Sequence, residues 1–120
     1  MGLLRSTIGL TTMAVALLLA QSPEQTRAKE AALKKRLLTL RDAIDNYSSD
    51  QHKAPKTLQD LIAKGYVASI PVDPMTGSSS TWRVVMEGPA NSVDRNEPGI
   101  FDVRSGSDGI SSDGKRYSDW

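Results

Sequence analysis

No cysteine occurs in this chain, so neither a disulfide nor a thiolate metal site can staple its fold. Aromatic residues are scarce, at 5%, which leaves the core to Leu, Ile, Val and Ala with a few ring anchors. The chain holds a single histidine, His52, and one His without Cys excludes a typical zinc site. A Ser-His-Asp set can be drawn around His52 and Asp50, but neither a nucleophile elbow nor a strand-to-helix turn surrounds it. No glycine-rich loop lies between a strand and a helix, so phosphate cradling has no support. An excess of one charge is missing too: 15 Lys and Arg stand against 14 Asp and Glu, a net charge of +1. That balance lacks the basic footprint of a nucleic-acid binder. Trp82 and Trp120 read as core or rim anchors rather than ligand platforms. No catalytic residue, cofactor-binding residue, nucleic-acid partner or small-molecule substrate is expected, and the chain is read as a non-enzyme.

A length of 120 residues predicts one small domain. From Ile8 to Ala20 the chain is uncharged and mainly apolar, with Arg5 in front and Gln21-Ser22-Pro23 behind. The run is short of the roughly 20 residues a transmembrane helix needs. It suits the apolar region of a secretory signal peptide, with Arg5 as the leading charge, although Leu18 is large for the small-residue rule at a cut after Ala20. Extended back to Leu3, the run reads as an envelope-anchored helix; a buried soluble helix is the remaining reading. Residues 1–22 are therefore set apart as a membrane anchor or signal peptide, and 23–120 as the globular domain.

Within that domain the pattern from Glu24 to about Ser48 is helical. Leu33, Leu37, Leu40, Ile44 and Tyr47 recur every three or four residues, one apolar stripe along a helix. Lys34, Lys35, Arg36, Arg41, Asp42 and Asp45 point mainly elsewhere. A polar loop closed by Pro55 follows, then a short helix with Thr57 as expected N-cap, Asp60 as a weak capping-box partner and Gly65 just past its end. Pro71 and Pro74 forbid a helix or a central strand around them. Trp82 to Glu87 alternates as a half-buried strand with Trp82, Val84 and Met86 on one face. Ile100 to Arg104 reads as a second strand, with Phe101 and Val103 on one face and Asp102 and Arg104 on the other. Beyond Ser105 lies a Gly/Ser/Asp tail without an apolar period until Tyr117 and Trp120. Helices before strands argue an α+β fold: a long N-terminal helix on a small antiparallel sheet, followed by the irregular tail.

These pieces in this order resemble the pilin-like family, and within it the major pseudopilins of type II secretion. The resemblance rests on Ala28-Lys29-Glu30-Ala31 through Leu40-Arg41-Asp42-Ala43-Ile44-Asp45-Asn46-Tyr47, then Pro55, Leu58 to Gly65-Tyr66, and Ile70-Pro71-Val72-Asp73-Pro74. Gly99-Ile100-Phe101-Asp102-Val103 and Ser105-Gly106-Ser107-Asp108-Gly109 complete it. It implies a subunit that assembles with copies of itself and other pseudopilins into a short pseudopilus for protein export. It also implies an inner-membrane location through the N-terminal helix, a periplasmic domain and a calcium-binding C-terminal loop. The front end departs from the family pattern of a basic leader, a Gly-Phe cleavage site and a nearby glutamate. Here Gly2 is followed by Leu3-Leu4-Arg5-Ser6-Thr7, with no acid before Glu24. The alternative is a soluble pilin-like binding module, periplasmic or secreted, released by an ordinary signal peptide.

Calcium takes six to eight hard oxygen ligands on a loop able to wrap the ion. The tail offers Asp108, Asp113 and Asp119 among Gly106, Gly109 and Gly114, with an oxygen at Ser105 as a further candidate. The spacing of an EF-hand is absent, and a solvated Gly/Ser/Asp turn is the competing reading of the same residues.

Overall fold

The computed structural model describes residues 22–92 and 97–120. The apolar segment expected at 8–20 lies outside the described residues. Two helices, a two-stranded antiparallel sheet and a short 3-10 turn make an α+β domain.

Helix α1 spans Pro23–Gln51. Its start is written in three residues. Ser22 accepts from the Gln25 amide at 3.2 Å, the Gln25 side chain accepts from the Ser22 amide at 3.2 Å, and Pro23 occupies the first helical position, where no amide donor is needed. The helix runs three residues past the expected Ser48, and His52 ends it in the left-handed conformation at φ 56°. Leu33, Leu37, Leu40, Ala43, Ile44 and Tyr47 are buried along it, the stripe read from the sequence. The turns before Leu33 bury no residue. So α1 contributes to the hydrophobic core through its C-terminal two-thirds.

Helix α2 is shorter than expected, Gln59–Ala63. Thr57 does not cap it. Instead the Asp60 carboxylate reaches back to the amides of Lys56 at 2.9 Å and Thr57 at 3.2 Å, because a first-turn carboxylate satisfies orphan amides as well as a hydroxyl would. At the far end Gly65 adopts φ 79°, its amide donates to Ile62 and that of Tyr66 to Leu61, the paired closure that a left-handed residue permits. Tyr66 then meets Tyr47 edge-on at 5.5 Å.

Strands β1 (Arg83–Met86) and β2 (Ile100–Arg104) pair with Arg83 opposite Arg104 and Val85 opposite Asp102, after which Met86 faces Ile100. Phe101 is thus an extra residue on β2, a bulge. The bulge corrects the expected alternation: Ile100 and Val103 are buried, Phe101 is turned out at 55% exposure, and Val84 and Met86 stay exposed at the rim. Helix α1 covers the sheet through β2. The core is Leu33, Leu37, Leu40, Ile44, Tyr47, Leu58, Leu61, Trp82, Ile100, Val103 and Tyr117.

Between α2 and β1 the two-proline segment forms a turn around Asp73, which is fully buried. Its Oδ1 accepts from the Met75 amide at 2.9 Å, while Oδ2 accepts from Ser105 Oγ at 2.7 Å and the Gly106 amide at 2.9 Å. The chain after β2 is thereby held to the turn before β1. Gly106 lies so close that an added Cβ would stand 2.1 Å from the Thr81 carbonyl oxygen. The Trp82 indole donates to the Pro71 carbonyl at 2.7 Å and closes the same turn from the other side. Replacing Asp73 by Ala strands the buried Ser105 hydroxyl and the half-buried amides of Met75 and Gly106, and is expected to cost about 3 kcal/mol in urea unfolding. Gly106→Ala is expected to destabilise as well, since backbone must move to admit one methyl, whereas Gly88→Ala, with open space around it, is expected to be mild.

Candidate functional site

The C-terminal tail docks back onto α1 through polar contacts to Glu30 and Arg41. Glu30 lies three residues before Leu33 and seven before Leu37, so it continues the buried stripe toward the N-terminus. Its carboxylate accepts from the Ser112 amide at 3.0 Å, Ser112 Oγ at 3.0 Å and the Tyr117 hydroxyl at 2.9 Å. The Ser112 amide is the main reason that the Glu30 carboxyl is held below its ordinary value. Tyr117 is buried beneath the tail, and that burial pushes its hydroxyl up.

About three turns of α1 further on, Arg41 gathers a second junction. Its Nε donates to Asp102 Oδ1 at 2.9 Å, and its Nη2 donates to the carbonyls of Val103 at 3.0 Å and Trp120 at 2.6 Å. Arg104 Nη1 also donates to the Trp120 carbonyl, at 2.9 Å, and to that of Asp119 at 3.0 Å. Trp120 packs edge-on against Tyr117 at 5.2 Å and lies 4.9 Å beneath the Lys34 ammonium. Lys34, Leu37, Leu38, Arg41, Lys115 and Trp120 line a groove of about 500 Å³ there, with Asp113 and Asp119 on its rim.

The four residues expected as a cation site are placed apart in function. Ser105 is buried and spends its hydroxyl on Asp73. Asp108 pairs with Arg83 at 2.7 Å, and that hydrogen bond holds its carboxyl below the ordinary value. Asp113 closes its own turn: it accepts a close hydrogen bond from Ser111 Oγ, while the Ser111 amide donates to Lys115 at 2.7 Å and Gly114 adopts φ 85°. The Ser111 contact is the first cause of its lowered value. Asp119 is exposed. Among the described residues no three His, Cys, Asp or Glu side chains come together as a metal-holding group. As placed, Ser105, Asp108 and Asp113 each engage an oxygen with a protein group, Asp73, Arg83 and Ser111 respectively.

Sequence reasoning missed Glu30, Arg41, Asp73 and Arg83. Glu30 had a legible signal, a carboxylate in phase with an apolar stripe. Asp73 had a weaker one, an Asp before Pro in a turn.

Comparison with protein-family models, with curated proteins and with solved structures finds no match to this chain.

Glu30, Asp108 and Asp113 are all lowered from their ordinary values, so their contribution is present above those ordinary values and is lost as pH falls through the lowered ones. Below about pH 4, where unperturbed carboxylates protonate, the Ser112 amide is expected to lose exchange protection before the amides of Leu37 and Leu40. Simultaneous loss would show that the tail is not a separate acid-sensitive unit.

Proposed function

We propose that this chain is a structural, non-enzymatic subunit of a pilin-like envelope machine of the type II secretion kind, working by assembly rather than by chemistry. The observation that carries the reading is the two-part character of α1. Its C-terminal two-thirds hold a small sheet by the stripe from Leu33 to Tyr47, while its first turns bury nothing. A helix built this way joins a compact head to whatever precedes it, and what precedes it in sequence is the apolar run from Ile8 to Ala20. Among the described residues no helix is long and apolar enough to cross a membrane. The anchoring role is accordingly assigned to the apolar run, with the head on the periplasmic side of the inner membrane. Partners in this reading are further copies of the chain and other pseudopilins.

The outer face of α1 supplies a surface for such contacts. Leu38 is 60% exposed. Arg27, Lys35, Asp42 and Asp45 are exposed on the same side of the helix. A second reading, a soluble exported binding module, has the groove beside Trp120 in its favour.

The N-terminal residue and membrane association of the protein from its native host separate the two. Retention of residues 8–20 in the inner-membrane fraction is expected; a soluble protein starting near Gln21 would overturn the filament reading in favour of the module. Within the retained form, Leu38→Asp is expected to reduce self-cross-linking several-fold without lowering the thermal midpoint, because Leu38 supports no core contact.

A further inference from the structure

We propose that the C-terminal tail of this chain is closed by its own side chains, with Glu30 and the guanidinium groups of Arg41, Arg83 and Arg104 in place of a divalent cation. A loop of this composition cannot offset its ordering entropy of roughly 1–2 kcal/mol per residue by burial alone, so something polar must hold it. The polarity of the contacts identifies what does. A cation site is made of acceptors turned inward. Here the tail turns donors inward: the Ser112 amide, Ser112 Oγ and the Tyr117 hydroxyl converge on one carboxylate supplied from α1.

The tail's acceptors, meanwhile, are met by organic cations. Arg83 donates to both Asp108 Oδ1, at 2.7 Å, and the Gly106 carbonyl, at 3.1 Å. A guanidinium bridging a carboxylate and a carbonyl supplies what a metal ion would supply at those two oxygens, with directional bonds instead of a coordination shell. Arg41 and Arg104 do the same at the Trp120 carbonyl. Ser105, the remaining expected ligand, is consumed by Asp73 and accepts from the Ser107 amide at 3.1 Å. Lys115 beside Asp113 adds a further positive charge. A divalent ion at Asp108 would have to displace Arg83, and one between Asp113 and Asp119 would meet Lys34, Arg41 and Lys115, which line the same groove. The inference concerns closure of the tail and stands apart from the filament reading, which it neither needs nor supports.

The test uses the full chain in detergent micelles, its thermal midpoint read in millimolar calcium chloride and in excess EGTA. The two midpoints are expected to coincide. Glu30→Gln is expected to lower the midpoint by roughly 4–8 °C and to raise the rate of tryptic cleavage at Lys115 and Arg116 several-fold, in both buffers alike. Should that variant fail to fold, Tyr117→Phe, which deletes a single hydroxyl donor, is expected to give the same pattern at smaller size. A midpoint that rises with calcium and falls with EGTA overturns the proposal, as does a tail indifferent to both Glu30→Gln and Tyr117→Phe. Neither result bears on membrane retention, so the two readings fail separately.

Discussion

The C-terminal half of the domain depends on one buried carboxylate. Taking a charge out of water costs several kcal/mol unless the site returns comparable hydrogen bonds. Asp73 receives three, from Met75, Ser105 and Gly106, on a side chain with no exposure. Because these donors come from two distant stretches, satisfying the charge also sets geometry. It ends β2 where Ser105 begins, presses Gly106 against the Thr81 carbonyl, and leaves the tail to depart from one fixed point. Trp82, bonded to the Pro71 carbonyl, packs the same turn into the core. The buried charge thus selects one arrangement of a turn, a strand end and a tail that apolar packing would leave underdetermined.

From that fixed point the tail can reach α1 only where α1 offers it polar partners. Glu30 and Arg41 stand eleven residues apart, about three turns of helix, and they bind the near and far parts of the tail. One helix therefore carries three jobs on separate faces. The Leu33 to Tyr47 stripe makes the core, Glu30 and Arg41 hold the tail, and the face around Leu38 is left outward. This division lets the helix support both a two-stranded sheet, marginal on its own, and the tail that follows it.

Much of this arrangement was legible before any coordinates. The spacing of Leu33, Leu37, Leu40, Ile44 and Tyr47 has one physical meaning, and the helix obeys it. Gly65 ends α2 as its freedom at positive φ suggested. The alternation in β2 misled, because a bulge at Phe101 changes which face each residue takes, and the pattern of one strand does not announce which of its residues will go unpaired. The tail is hard to read for a different reason. Asp, Gly and Ser in a short run suit a cation loop and a side-chain-closed loop equally well. Two of the groups that meet the tail, Arg83 and Glu30, are 25 and 82 residues away in sequence from the groups they bind. Composition near a site says which atoms are available; it does not say which distant atoms will claim them.

The claim that a buried charge organises the fold is tested most directly by native-state hydrogen exchange of the full chain. The amides of Met75 and Gly106, both donors to Asp73, are predicted to exchange only with the cooperative unit that contains Leu40 and Val103, and to be lost from it together in Asp73→Asn. Exchange of both amides at rates near those of an unstructured peptide, while Leu40 and Val103 stay protected, would contradict it.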